Sequence, residues 1–331
     1  MTLAIAGGGS WGTALSIVLA PRFESLRLWV YETELAERLR ATRENDVYLP
    51  GLRVPDHVEI VTGLAAALKD AEMVLCVIPS RHARGLYTRM LPHLEPSMIF
   101  ASAAKGLEDG TLLRMSEVLA EVVRQRFAPK IAVLSGPTFA REVARGEPTA
   151  LVVASTDSGT ASRVQAAFSG PTFRLYTNAD PVGVEIGGAL KNVIAIAAGV
   201  VQGLGLGSNT MAALITRGLA EITRLAVAMG GQPKTLAGLA GLGDLVLTCE
   251  GELSRNRRVG AELARGRTLA EITGSTPMIA EGVESCAAAV ALGAKFGVDL
   301  PIIQQMHAVL HQSKDPREAI RGLMERSLKG E

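Results

Sequence analysis

Apolar residues follow two different patterns along this chain, one in each half. Up to about residue 178, short continuous runs of aliphatic residues alternate with stretches of helical periodicity. The runs predict strands at Leu3–Ala6, Leu26–Tyr31, Val58–Val61, Met73–Ile78, Met98–Ser102 and Ile131–Leu134. Unbroken apolar strands belong to parallel sheets covered by helices on both faces, because only there do both sides of a strand leave water. Two more candidates, Ala150–Ala154 and Phe173–Tyr176, flank a helix-like stretch from Ser158 to Phe168 and are expected to extend the sheet. Beyond them the strand signal stops.

The helical half opens at Asp180-Pro181, a capping residue followed by proline at the first helical position, where its missing N–H is not needed. Asp315-Pro316 repeats that start before a final amphipathic segment, and Thr268-x-x-Glu271 is a capping box. The change of pattern predicts an α/β, Rossmann-type doubly wound sheet domain over residues 1–178. An all-α substrate domain over 179–331 is expected to close over the far end of the site. One stretch invites comparison with a membrane span: Asn192 to Thr216 carries no charge, and Gly199 and Gly203 form a G-x-x-x-G. The Gly, Ser and Asn residues between Gln202 and Thr210 interrupt it, which predicts a buried helix followed by a loop and no membrane span.

Composition narrows the picture. The 331 residues, 48% hydrophobic and 20% charged, suffice for two cores. A net charge of +1 supplies no global field for nucleic acid or a membrane surface. Cys76, Cys249 and Cys286 are odd in number and lack metal-ligand spacing, which favours buried thiols in a reducing cytoplasm. The N-terminal residues show neither a basic region nor a cleavage site, so secretion is not expected. His307 and His311 share a helix face at i,i+4 without a third ligand, so no metal site is expected there.

Candidate chemistry begins where the first strand ends. Gly7-Gly8-Gly9-Ser10-Trp11-Gly12 spaces glycines as G-x-G-x-x-G before a helical run from Thr13 to Ala20. Gly7 permits the turn, Gly9 has no Cβ to keep a pyrophosphate away, and Gly12 lets the helix pack on the strand. The phosphates of a dinucleotide then meet a helix N-terminus, whose free N–H groups and dipole favour an anion. Glu32, about 20 residues beyond Gly12, is placed to accept hydrogen bonds from the adenosine ribose. The same carboxylate repels the 2′-phosphate of NADPH, so NADH is the expected preference among NAD(P)H, unless Arg38 or Arg53 folds back.

Three further strand ends carry binding-type residues at the carboxyl edge, where such sheets hold ligands. Val77-Ile78-Pro79-Ser80 either binds or makes the turn. In Ala104-Lys105-Gly106 the lysine either reaches cofactor and an anionic substrate or lies on the surface. In Ser135-Gly136-Pro137-Thr138-Phe139-Ala140, Gly136 permits close backbone approach and Thr138 offers a hydroxyl, unless the segment is only a loop.

In the helical half, Lys191 is the only charge between Glu185 and Arg217. Burying an ammonium lowers its pKa, which is how a lysine becomes a proton-transfer group near neutral pH. The alternatives are an ion pair with a distant acid, or snorkelling to the surface. Gly207-Ser208-Asn209-Thr210 opens a helix and either caps it or offers N–H groups to phosphate. Gly241-Leu242-Gly243-Asp244 sets an acid in an apolar loop, to bind a substrate hydroxyl or cap the next helix. Ser254-Arg255-Asn256-Arg257-Arg258 is the densest basic cluster and suits phosphate, although a charge run is usually a solvated face.

Together these motifs resemble the bacterial NAD(P)-dependent sn-glycerol-3-phosphate dehydrogenases over almost the whole chain. The resemblance rests on Gly7–Gly12, Ser135-Gly136-Pro137-Thr138, Gly187-Gly188-Ala189-Leu190-Lys191-Asn192, Gly241-Leu242-Gly243-Asp244 and Ser254-Arg255-Asn256-Arg257. It implies reversible reduction of dihydroxyacetone phosphate to sn-glycerol 3-phosphate in the cytoplasm, supplying glycerophospholipid synthesis, and a homodimer. It implies that Lys191 is the proton donor or acceptor at the carbinol oxygen. Lys105, Gly136, Thr138, Asp244, Ser254, Arg255 and Asn256 would line the substrate, with Arg255 also near the cofactor. Ser10, Trp11, Tyr31, Glu32, Tyr48, Lys105, Ala140, Ile279 and Glu281 match cofactor-contact positions. Tyr31 and Glu32 depart from the His-Arg pair often found there. Two other readings remain open at this point: a related two-domain dehydrogenase of another hydroxy acid or phosphorylated substrate, and a non-catalytic NAD sensor, which would not need a buried lysine.

Overall fold

The computed structural model describes residues 1–274, 280–328 and 330. The strands are β1 (Thr2–Ala6), β2 (Ser25–Trp29), β3 (Glu44–Asn45), β4 (Leu49–Arg53), β5 (Val58–Val61), β6 (Met73–Cys76), β7 (Ile99–Ser102), β8 (Lys130–Ser135), β9 (Thr149–Ala154) and β10 (Phe173–Asn178). Among the described residues eight of them form one sheet, in the order β10-β9-β8-β7-β6-β1-β2-β5. The six strands from β5 to β8 in that order are parallel. Their connections run outward in opposite directions from β1 and β6, and that switch point is where a doubly wound sheet opens a crevice for ligands.

Alternate residues of each strand serve opposite layers, as pleating requires. Leu3 and Ile5 enter one apolar core, whereas Ala4 and Ala6 enter the one on the other face with Val74 and Phe100. β9 departs from the parallel pattern and runs antiparallel to β8, with β10 parallel to β9. The segment joining β8 to β9 stays at the carboxyl edge, where it lines the cleft, instead of crossing back beneath the sheet. β2 and β6 also end two residues before the predicted Tyr31 and Ile78, because β1 turns away at Gly7. The last bonds there run from Val77 N to Ala6 O at 2.9 Å and from Gly7 N to Trp29 O at 3.2 Å.

The β3–β4 hairpin is antiparallel, and the apolar pattern does not predict it. Its strands are short and mostly polar or exposed, so it has little hydrophobic signature. A buried amide ties it to the glycine turn: Asn45 Nδ2 donates to Gly8 O and to Thr13 Oγ1, both at 2.8 Å, and Asn45 Oδ1 accepts from Tyr48 N at 3.0 Å.

The helical half is built around Pro181–Gly203, in which every residue from Gly183 to Val201 is buried. A helix apolar on all sides needs enclosure by neighbours or by lipid. Here the most apolar stretch, long enough to cross a bilayer, lies wholly inside the protein. Asp180 caps the helix by accepting from Gly183 N at 2.8 Å, and Pro181 occupies its first turn. The chain breaks at Leu204 and resumes as Ser208–Ala228, where the interruption of the apolar run predicts a loop.

The G-x-x-x-G has a packing role. A Cβ on Gly199 would lie 1.8 Å from Arg257 O, and one on Gly260 would lie 1.9 Å from Ile196 O. The Pro181–Gly203 and Arg255–Ala264 helices therefore cross backbone against backbone. The predicted caps form as well: Asp315 accepts from Arg317 N at 2.7 Å, and Thr268 and Glu271 exchange backbone-to-side-chain bonds at 2.8 and 3.3 Å. The three cysteines are free and buried.

Candidate functional site

A cleft of about 980 Å³ runs between the carboxyl edge of the sheet and the helical half. At one end lies the glycine turn. Gly7 has φ +134°, and a Cβ there would lie 2.2 Å from Val77 O; a Cβ on Gly12, behind the turn, would lie 1.8 Å from Gly7 O. The Ser10–Leu19 helix follows with Gly9 as its N-cap and no side-chain cap bond. Its first N–H groups thus lack the side-chain partner that usually satisfies one of them. Nothing stands within 4 Å of a Cβ built on Gly9. An uncapped helix start behind a bare turn fits the pyrophosphate of a dinucleotide.

Along the same wall lie Ser10, Trp11, Tyr31, Glu32 and Tyr48. Tyr48 Oη donates to Glu32 Oε1 at 2.9 Å. Burial, followed by the Glu32 carboxylate, raises the Tyr48 pKa, so the phenol remains the donor. Neither Arg38 nor Arg53 folds back towards Glu32 as an unpaired cation. Arg38 Nε pairs with Asp46 at 3.0 Å, and Arg53 with Asp56 at 2.7 Å.

At the other end, three charged groups meet from distant parts of the chain. Lys191, 5% exposed in the middle of its helix, donates to the Asp244 carboxylate and to Thr248 Oγ1, the latter at 2.9 Å. The second Asp244 oxygen accepts from Lys105 Nζ at 2.8 Å, and Lys105 also donates to Gly136 O at 3.2 Å. The ion-pair alternative for Lys191 is thus realised within the cleft wall itself, and Lys105 is not a surface lysine. Asp244 is 0% exposed and begins the Asp244–Glu250 helix, but it is not the N-cap: Gly243 holds that position, and the carboxylate turns to the lysines. Burial depresses the Lys191 pKa; Asp244 opposes this and Lys105 reinforces it, leaving the group at about 7.

Ser254, Arg255 and Asn256 close the site. Ser254 Oγ caps the Arg255–Ala264 helix by accepting from Arg257 N at 3.2 Å, and Asn256 Oδ1 accepts from Gly282 N at 3.0 Å. Within the basic cluster Arg255 lines the cleft, while Arg257 donates to Glu250 O at 2.7 Å. Glu281 faces Asn192 Nδ2 at 3.5 Å; burial raises its pKa against the pull of Arg255, Lys105 and Lys191. Thr138 and Ala140 line the cleft, and Thr138 Oγ1 donates to Gly136 O at 3.1 Å. Gly136 contributes its carbonyl from just outside the lining. Gly207–Thr210 starts a helix away from the cleft, and Ile279 lies outside the described residues.

Thr248 and Asn45 escape sequence reasoning. Thr248 had a usable signal, four residues after Asp244 on one helix; an isolated asparagine before an unpredicted hairpin had none. Among the described residues no group of three or more His, Cys, Asp or Glu side chains is arranged to hold a metal, and His307 and His311 lie with ring centroids 4.9 Å apart.

Residues 2–161 match the family model described as NAD-dependent glycerol-3-phosphate dehydrogenase N-terminus, and residues 180–321 match the corresponding C-terminus. A Koribacter versatilis protein named glycerol-3-phosphate dehydrogenase (NAD(P)+) is 58% identical over 326 residues, 98% of this chain and 97% of that protein. A protein of the same name from Geobacter sp. strain M21 is 53% identical over 329 residues, 99% of this chain and 98% of its own. The crystal structure of glycerol-3-phosphate dehydrogenase from Coxiella burnetii is similar with a TM-score of 0.94 at 41% identity, covering 98% of this chain and 99% of that one.

Proposed function

The chain belongs to the NAD-dependent glycerol-3-phosphate dehydrogenase family, and from that premise we propose that it reversibly reduces dihydroxyacetone phosphate to sn-glycerol 3-phosphate with NAD(P)H. The observation that carries this reading is Lys191, buried and paired with Asp244, in a cleft whose opposite end is the glycine turn. The dinucleotide, when bound, supplies the hydride for the carbonyl carbon. Lys191 holds the carbonyl oxygen and gives it a proton as negative charge develops there; in the reverse direction its neutral amine takes that proton back. Asp244 orients both lysines, and Lys105 adds a second cation beside the oxygen.

Arg255 forks onto the substrate phosphate, with Ser254, Asn256, Gly136 and Thr138 completing the substrate wall. Gly7, Gly9, Ser10, Trp11, Gly12, Tyr31, Glu32, Tyr48, Ala140 and Glu281 hold the cofactor in this reading. Residues 1–178 serve as the dinucleotide-binding domain and 179–331 as the substrate domain. NADH is the preferred form, because the Glu32 carboxylate opposes a 2′-phosphate. The product supplies glycerophospholipid synthesis. Three buried, free thiols suit a reducing cytoplasm, and family resemblance supports a homodimer.

Two measurements test the reading. The protein should oxidise NADH on addition of dihydroxyacetone phosphate, and Arg255→Ala should lower kcat/KM for that substrate about 30-fold or more, as expected for truncating a charge-paired contact. The unphosphorylated ketone should lose far less. No phosphate-ester-dependent oxidation overturns the function; equal losses on both ketones overturn the role of Arg255.

The direction of pH dependence follows from the lowered Lys191 pKa. Reduction needs the ammonium, so its kcat/KM should fall as pH rises through about 7; oxidation of glycerol 3-phosphate needs the amine and should rise over the same window. A reduction profile with no inflection near 7, or one whose inflection is unchanged in Lys191→Ala, would remove Lys191 from proton transfer.

A further inference from the structure

The β3–β4 hairpin joins the glycine turn to the carboxylate at the end of β2. Asn45 is 0% exposed, and its side chain bonds Gly8 O, Thr13 Oγ1 and Tyr48 N at 2.8, 2.8 and 3.0 Å. Tyr48 in turn reaches Glu32 at 2.9 Å. From this chain of contacts we propose that Asn45 and Tyr48 are positioning residues. They hold Glu32 at a fixed place relative to the phosphate-binding turn, and thereby make the site select a dinucleotide with a free ribose 2′-hydroxyl over one with a 2′-phosphate. The inference rests on the dinucleotide reading above.

Glutamate has several rotatable bonds, and Glu32 is exposed. Left to itself, the carboxylate would swing into water when confronted by a second anion, and the repulsion that should exclude a 2′-phosphate would largely vanish. The Tyr48 hydroxyl removes that escape. A charge-assisted hydrogen bond keeps one carboxylate oxygen in place and leaves the other for a ribose hydroxyl. Tyr48 is itself anchored, because its backbone N–H donates to an asparagine buried beneath the turn.

The arginines nearby are engaged elsewhere. Besides the pairs of Arg38 with Asp46 and Arg53 with Asp56, Arg81 donates to Glu284 at 2.9 Å, Arg141 donates to Pro50 O at 3.1 Å, and the Arg89 guanidinium lies 6.0 Å from the Trp29 ring centroid. A 2′-phosphate would therefore have to break an ion pair of Arg38, Arg53 or Arg81, or draw Arg89 or Arg141 towards Glu32, to gain a counter-ion.

The test is the ratio of NADH to NADPH affinity in wild type and Tyr48→Phe. Quenching of intrinsic protein fluorescence reports it, since Trp11 lines the cleft, and kcat/KM for each cofactor gives a second readout. The two dinucleotides differ only at the 2′ position, so a general loosening of the fold weakens both alike and leaves the ratio unmoved. The expected result is wild-type preference for NADH and a ratio about tenfold lower in Tyr48→Phe, the low end of the scale for one hydrogen bond to a charged group. Asn45→Ser should lower the same ratio while weakening both cofactors; if that variant does not fold, Tyr48→Phe decides alone. An unmoved ratio in Tyr48→Phe, or a wild type that prefers NADPH, overturns the inference while leaving the function standing. A wild type that binds neither dinucleotide overturns both.

Discussion

Lys191→Ala should lower kcat for dihydroxyacetone phosphate reduction about 10²–10⁴-fold, the range for loss of a positioned proton-transfer group. NADH affinity should stay close to wild type, because Lys191 lies at the end of the cleft opposite the glycine turn. The fold should tolerate the change, since Asp244 keeps its second ion pair, to Lys105 at 2.8 Å, and is not left as an uncompensated buried charge. Steady-state kinetics and NADH titration of the same preparation check both halves. Turnover at the wild-type rate would remove Lys191 from the chemistry.

Asp244→Ala should be the more disruptive change, because it leaves two ammonium groups close together without their shared counter-ion. Breaking a buried pair in this way costs about 3–5 kcal/mol. The protein can limit the cost only by releasing a proton. Asp244 is the neighbour that raises the Lys191 pKa, so its loss drives that pKa lower still. Reduction at neutral pH should then collapse together with stability. Denaturant melts should show a lower midpoint, and Asp244→Ala combined with Lys105→Met should recover part of it by removing the repulsion. A single variant as stable as wild type would mean that the two lysines do not depend on this carboxylate.

The sheet was legible because its strands are apolar runs separated by helical periodicity, and that contrast survives without any knowledge of neighbours. The direction of β9 was not legible, since an apolar strand reads the same from either end. The β3–β4 hairpin was invisible because its strands are short and mostly polar or exposed, and hydrogen bonds rather than an apolar run tie it in place. The site was legible one residue at a time. Lys105, Lys191 and Asp244 each stood out as a charge in apolar surroundings or at a strand end, yet Asp244 lies 53 residues from Lys191 and 139 from Lys105. No local pattern announces that two lysines so far apart in sequence share one carboxylate. Their meeting follows from the long helix lying across the carboxyl edge of the sheet.

The backbone-to-backbone crossing at Gly199 and Gly260 has a consequence for which molecules the cleft admits. Lys191 sits about two turns before Gly199 on one helix, and Arg255 opens the other. With no side chain between the helices at the crossing, their backbones pack directly on one another, a close fit that resists sliding. The groups assigned to the carbonyl and to the phosphate therefore ride on one stiff frame, whatever the sheet does beside it. That frame acts as a caliper whose reach is set by the spacing of the two helices and adjusted only by the Arg255 side chain. A ketone phosphate one carbon longer should therefore show a lower kcat/KM than dihydroxyacetone phosphate, and equal values for the two would remove this spacing as the measure of length.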